Sequence, residues 1–320
     1  MDTSASVEGV ETRKQCYPMQ DQSETFAEIA SIISRYMSGN GFSATDIEGL
    51  FFGCQTAPTH PLHVAQRPTF GLVAQGAKSV TLGQEVYHYG VGDYLVVSFD
   101  LPVTARITQA SREAPHLGLG MVINPERLRE VLQRIVVPSV AATANGARGL
   151  AVNKASPGLL DATLRYLRLL DTPRDIAGVA PLIEQEILYR LLTGPYGPRL
   201  IQIATADSPG NRIAKAIAWL RENYARPLRI EDLAEHVGMS VSSLHHHFKA
   251  VAAMTPMQYQ KQLRLNEARR LMLVESMDAG TAGHTVGYQS SSQFGLEYTR
   301  LYGQSPLRDI AALRVQVAAE

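Results

Sequence analysis

From Asp46 to Asn124 the chain breaks into short apolar or alternating runs, among them "TFGLVAQG", "KSVTLG", "EVYHYG", "YLVVSFD", "VTARITQ" and "HLGLGMVI", separated by Gly, Pro and Asp. Many short runs with such punctuation predict an antiparallel sandwich or barrel. On either side the period becomes helical. "SETFAEIASIISRYM" predicts a helix capped by Ser23 and ended near Gly39. "NPERLREVLQRIV" predicts a second. After a loop rich in Gly, Ala and Asn comes "SPGLLDATLRYLRLLD", where Leu160, Leu164, Leu167 and Leu170 fall at helical spacing behind a Ser156-Pro157 start signal. "APLIEQEILYRLLTG" is a further amphipathic helix, "GPYGP" and "ADSPGN" bracket a short link, and residues 210–310 are again helical. The pattern predicts an α+β chain: a polar mobile tail over 1–23, a strand-and-helix domain over 24–200, a linker over 201–210, an all-α domain over 211–310 and a C-terminal tail over 311–320.

The helical domain contains an internal repeat. "VGMSVSSLHHHFKAVAAMTP" from Val237 matches "VGYQSSSQFGLEYTRLYGQSP" from Val286 once one residue is added after the first glycine. Gly238 and Gly287 then suit the left-handed turn that ends a helix. Ser240 and Ser290 suit the cap of the next. Leu244/Phe248 and Phe294/Tyr298 are i, i+4 anchors of its inner face. Thr255-Pro256 and Ser305-Pro306 start a third helix. Helix, tight turn, helix is the geometry that lays its second helix in the major groove of DNA. One such hairpin is commonly a packing device only; two matched copies argue for a shared task. The intervening "PMQYQKQLRLNEARRLMLVES" reads as one helix. About 20 residues span about 30 Å, close to the roughly 34 Å of one duplex turn.

Over Asn211 to about Arg308 this unit resembles the AraC/XylS family of bacterial transcription regulators, through "LAEHVG", the "Q…LRLNEARRLM" helix and "VGYQS…F…EY…LYGQSP". Upstream, "AQGAKSVTLGQEVYHYGVGDYLVVSFDLPVT" and "PGLLDATLRYLRLLD…APLIEQEILYRLLTGPYGPRL" resemble the N-terminal domain of one subgroup, a cupin-like barrel followed by helices. The resemblance implies a sequence-specific regulator that binds double-stranded promoter DNA, is controlled by a small-molecule effector in the barrel, forms a homodimer through helices around 157–193, and contacts RNA polymerase. It implies no catalysis and no cofactor. A cupin metalloenzyme with an appended helical domain, or an interaction module that reads no bases, remain the alternatives.

Three consecutive histidines, His245 to His247, raise the question of a metal. Adjacent helical residues point about 100° apart, and helical metal pairs need i, i+4 spacing, which here offers only Val, Ser, Lys and Ala partners. With Leu244 and Phe248 inward, His245 and His246 fall on the outer side and His247 on the flank. Val241, Ser242 and His245 occupy the early turns. By resemblance Ser242, His245 and His246 match base-reading positions, and Lys249 suits a phosphate. In the second copy Leu296 overlies His246. A leucine cannot hydrogen-bond a base edge, so Ser291, Ser292 and Gln293 are left to read, with Arg300 for a phosphate. A solvated surface is the plain alternative for each.

In the barrel the enzymatic cupin signature is missing: "THPLHVAQ" spaces His60 and His63 wrongly and no glutamate follows. The expected occupant is therefore an effector rather than a metal, with His63, Gln75, Tyr87 and Tyr94 as lining candidates. Gly71 stands where some relatives carry a cysteine, which leaves Cys54 as the thiol to weigh against a plain buried role. Composition adds bounds. Lys and Arg number 30, as do Asp and Glu, and residues 207–320 hold 13 of the former against 11 of the latter, which permits nucleic-acid binding without arguing for it. Two cysteines, Cys16 and Cys54, imply no disulfide framework; no signal-peptide core or membrane-length apolar run occurs, and a cytoplasmic setting is expected.

Overall fold

Most helical and β-rich stretches fall where the pattern places them, in a computed structural model that describes residues 22–135 and 148–318. Most of the tail expected over 1–23, and the Gly/Ala/Asn-rich loop before residue 148, lie outside the described residues. Among those described, ten strands form two antiparallel sheets. The first runs β1 (Gly41–Ala44), β2 (Leu50–Gln55), β9 (His116–Val122), β4 (Thr69–Gln75), β7 (Asp93–Val97), β10 (Leu150–Lys154); the second runs β3 (Leu62–Gln66), β8 (Leu101–Gln109), β5 (Ala77–Leu82), β6 (Glu85–Gly90). This is the cupin-like half of the expected α+β architecture. β1 and β10 were not legible in the pattern; each is four or five residues long, and β10 is held by a partner distant in sequence, β7, from Leu150↔Val97 to Lys154↔Asp93.

Helices α1 (Gln22–Tyr36), α3 (Pro157–Arg168) and α4 (Pro173–Thr193) cover the outer face of the first sheet. The expected stripe Leu160, Leu164, Leu167 and Leu170 is buried there with Ile29, Ile33, Phe52, Phe70 and Val96. Ser156 accepts from the Leu159 amide, as an N-cap should. Two boundaries differ from expectation. α1 begins at Gln22, so Ser23 lies inside it. α4 begins at Pro173 and carries Pro181 within it, where the pattern took the second proline for the start. Near the barrel's end α2 (Pro125–Arg134) is capped by Asn124, and the Arg127–Glu184 ion pair ties it to α4.

The expected linker is a packed helical corner. α5 (Gly197–Ala204) meets α6 (Pro209–Glu222), whose cap Ser208 accepts from the Asn211 amide while donating to the Gln202 carbonyl. The remaining helices are α7 (Ile230–His236), α8 (Val241–Ala252), α9 (Pro256–Val274), α10 (Ala279–Thr285), α11 (Ser291–Tyr302) and α12 (Pro306–Ala318). α12 runs on through what the pattern read as a tail from 311.

The first helix-turn-helix unit shares one core with the barrel. Leu82, Val97, Phe99 and Leu101 are buried in the same cluster as Ile213, Leu220, Leu244, Phe248 and Tyr259. Polar contacts lock the seam: Tyr259 donates to the Asp100 carbonyl at 2.6 Å, Arg221 pairs with the Asp100 carboxylate at 2.8 Å, and the Gly149 amide donates to the Val251 carbonyl at 2.9 Å. The second unit has a core of its own around Leu265, Ala268, Phe294 and Tyr298.

Candidate nucleic-acid interface and effector cavity

Both halves of the repeat are built by the local signals the sequence carries. Gly238 (φ +64°) and Gly287 (φ +97°) take the left-handed conformation. The Ser240 and Ser290 hydroxyls accept from the Ser243 and Gln293 amides and open α8 and α11. Thr255 and Gln258 form a reciprocal capping box at the start of α9. Inward, Phe248 meets Tyr259 edge-on at 5.5 Å, and Phe294 meets Tyr298 at 5.5 Å.

α9 fixes the two hairpins relative to one another. Its 19 residues span about 28 Å. Gln260 donates to the Tyr224 and Arg226 carbonyls after α6. Arg264 donates to the carbonyls of Tyr224, Ala225, Arg226 and Gly287, and so ties the end of α6 to the turn before α11. In the second unit Arg269 grips the Asp309 carboxylate through both oxygens (2.7 and 2.8 Å), and Tyr298 donates to the same group at 2.7 Å. Arg264 and Arg269 fall in the "LRLNEARRLM" motif, but their bracing role was not legible there, because a helix-spanning arginine looks like any solvated one until its carbonyl or carboxylate partners are in place.

The outer faces carry the expected reading residues. On α8 Val241, Ser242, His246 and Lys249 are exposed, and His245 is only partly so. His247 is half-buried beside Arg199 and packs edge-on to His246 at 5.1 Å. On α11 Ser291, Ser292, Gln293, Leu296 and Arg300 are exposed. Leu296 is 74% exposed, so it does not pack against α9. A Cβ at Gly295 would meet nothing within 4 Å. Gly295→Ala therefore raises stability by about 0.5–1 kcal/mol, because alanine loses less backbone entropy in a helix interior. A urea midpoint unchanged or lowered in Gly295→Ala would contradict that.

Between the sheets lies a cavity of about 310 Å³. Four glycines face it, and the room is made at Gly71, where an added Cβ would meet nothing nearer than 3.7 Å; the rings of Phe42, His116 and Phe51 lie over Gly53, Gly118 and Gly120. Facing rows Phe51–Gly120–Gly71–Leu95 and Gly53–Gly118–Val73 cross β2, β9, β4 and β7, and every one of these residues lines the cavity. Opposite stand Val64, Ala105, Ile107, Tyr89 and Lys78, the last two paired across β5 and β6. Cys54 also lines it; burial pushes its thiol up and keeps it protonated, a poor state for a reactive sulfur.

None of the four lining candidates read from the sequence faces this space. His63 turns outward and stacks edge-on against Tyr302 of α11 at 5.1 Å, while its neighbours Leu62 and Val64 line the cavity. Tyr94 packs against Phe70 in the core under the helices, and Leu95 takes the inner side. Both are one-residue facing errors, since side chains alternate along a strand. Gln75 follows a register shift between Val73 and Gln75, and its amide donates to the Pro115 carbonyl. Tyr87 lies towards the end of its hairpin and donates to Glu85 at 2.6 Å. The charged or titratable nitrogen groups that do line it are instead Lys78, Arg106 and His116. A signal existed: Lys78 alternates with Val80 and Leu82, which puts a lysine on an otherwise apolar strand face. Among the described residues no three His, Cys, Asp or Glu side chains cluster to hold a metal ion.

A β-barrel fused to two helix-turn-helix units on one bracing helix defines the class of the protein. The family pattern described as AraC-type transcriptional regulator N-terminus matches residues 46–199, and a helix-turn-helix domain pattern matches 233–309. The chain belongs to the AraC-type transcriptional regulators. It is 27% identical over 158 residues to the HTH-type transcriptional activator RhaS of Pectobacterium carotovorum subsp. carotovorum (strain PC1), covering 48% of this chain and 54% of that protein. It is 27% identical over 139 residues to the HTH-type transcriptional regulator ArgR of Pseudomonas aeruginosa, covering 43% and 42%. The chain spans about half the length of the curated relatives it matches. In fold it is similar to a ligand-free single-site variant of ToxT from Vibrio cholerae strain SCE256 (TM-score 0.56, 8% identity, 83% of this chain and 98% of that one). It is also similar to unsaturated fatty acid bound wild-type ToxT of the same strain (TM-score 0.53, 10% identity, 86% and 97%). Among the described residues no helix is long and apolar enough to cross a membrane.

Proposed function

We propose that this chain is a sequence-specific regulator of transcription that binds double-stranded promoter DNA through α8 and α11 and carries a small-molecule effector in the barrel cavity. It acts by binding rather than by catalysis, and its setting is the cytoplasm. The observation that carries the reading is the brace: α9, about 28 Å long, joins two capped helices, each with exposed polar residues on its first turns. A rigid spacer of that length suits successive major-groove turns on one side of a duplex. Ser242, His245 and His246 read bases and Lys249 holds a phosphate. α11 reads less, because Leu296 offers a base edge only apolar contact; Ser291, Ser292 and Gln293 remain, with Arg300 at the backbone. Val179, Leu182 and Tyr189 form an exposed apolar stripe at helical spacing on α4, which supports a homodimer through that helix. The fatty acid carried by the similarly folded ToxT structure supports a small-molecule occupant for a barrel of this kind.

Selection of bound sequences from random duplexes tests this with the full chain. The wild type should return one well-defined half-site under α8 and a degenerate one under α11. His246→Ala should relax a single position of the first, at a cost of about 1–3 kcal/mol on the preferred site. Identical sites from wild type and His246→Ala, or a sharper half-site under α11, would defeat the reading.

A further inference from the structure

The barrel cavity has an electrostatic imbalance that names the kind of molecule it takes. Its lining contains Lys78, Arg106 and His116, but no aspartate or glutamate. Lys78 makes no ion pair among the described residues, and its amine lies 5.9 Å from the centre of the Phe42 ring. Burial pushes that amine down to about 8. His116 is 5% exposed and its Nε2 has no hydrogen-bond partner. Burial, then the neighbouring Lys78, pushes the ring down to about 4, so it is neutral. A neutral imidazole with a free Nε2 offers one hydrogen bond to whatever meets the lysine. The rest of the wall is Phe42, Phe51, Leu62, Leu72, Leu95 and Leu119 over the glycine rows.

A buried amine without a counter-charge is costly, and so is a buried nitrogen without a partner. One ligand removes both costs. The geometry points to an amphipathic carboxylate: an acid head set at the Lys78 ammonium with the His116 ring beside it, taking the Nε2–H tautomer when the head is bound, and an apolar body lying over Gly71 along the wall of β2, β9 and β4. This rests on the reading of the barrel as the effector site, and it names the chemical class of the effector. An anionic head restores the ion pair that Lys78 lacks, and Gly71 leaves the space where a chain or ring lies.

Calorimetry on the full chain, without DNA, tests it with decanoate against decanamide, which match in length and shape and differ in charge. Decanoate should bind, and decanamide should bind more weakly by about tenfold or more, the worth of a charge-assisted hydrogen bond. Lys78→Met should erase the preference between the two. It should also melt higher than the wild type in the absence of ligand, since it removes an unpaired buried charge and keeps the side chain's length. Gly71→Leu, which fills that space, should lose both probes. Equal affinity of the two probes for the wild type, an unaltered preference in Lys78→Met, full binding by Gly71→Leu, or no binding of decanoate to the wild type would each overturn the assignment. Because no DNA is present, these outcomes stand apart from the site selection that tests the regulator reading. A chain that selects a DNA sequence but ignores decanoate keeps its function and loses this ligand class.

Discussion

Asp309→Ala lowers the stability of the second helix-turn-helix unit by about 3–5 kcal/mol, the usual cost of breaking a buried pair from one side. Asp309 is 7% exposed and accepts three hydrogen bonds, two from Arg269 and one from Tyr298. Without it the guanidinium of Arg269 is left over the Tyr302 ring, 4.3 Å from its centre, with no carboxylate to answer it. Tyr298, fully buried, loses its acceptor. The loss should appear in the urea transition as a shift in midpoint. Asp309→Asn, which keeps an acceptor, should lose less. The double replacement Arg269→Met with Asp309→Leu should recover much of the loss, because no charge is then stranded. A loss below about 1 kcal/mol in Asp309→Ala would show that the pair behaves as a surface salt bridge.

The second large effect separates two glycines that the repeat makes look equivalent. Gly238 has φ +64° and, around an added Cβ, only the end of the Arg212 side chain at 3.5 Å. Gly287 has φ +97°, and a Cβ there would collide with the Ala225 carbonyl oxygen, which belongs to rigid backbone. Gly238→Ala should therefore cost only about 1 kcal/mol, the ordinary left-handed penalty. Gly287→Ala should cost about 2–4 kcal/mol, since backbone strain and overlap add. It should also weaken DNA binding at temperatures where the chain is still folded, because relief of the overlap moves the turn that Arg264 ties to the end of α6. Equal midpoints for the two variants would refute the distinction.

The helix caps, the left-handed turns and the two-fold repeat of the DNA-binding half were legible residue by residue. Ser240, Thr255 and Ser290 cap helices within three residues of themselves, and Leu244/Phe248 and Phe294/Tyr298 follow from helical period alone. These signals act over a few residues, so they survive in a linear reading. The exposed faces of α8 and α11 follow from the same period.

Tertiary structure decided the rest. Facing along a strand turns on a single residue, and the register shift between Val73 and Gln75 displaced one lining candidate, while His63 and Tyr94 sat one place from residues that do line the cavity. β1 and β10 are too short to announce themselves and exist because neighbouring strands of the sheet pair with them. The fusion of the first helix-turn-helix unit to the barrel depends on Asp100 meeting Tyr259 and Arg221, groups more than a hundred residues away in the chain. Arg264 and Asp309 acquired their roles only when carbonyls and an arginine arrived from other helices. The sequence by itself determined what most segments become, because hydrogen bonds within a helix turn and the period of apolar residues are local. Only the packed chain determined which charges are left without partners inside it, because burial and the absence of a counter-charge are properties of every segment that surrounds a residue such as Lys78.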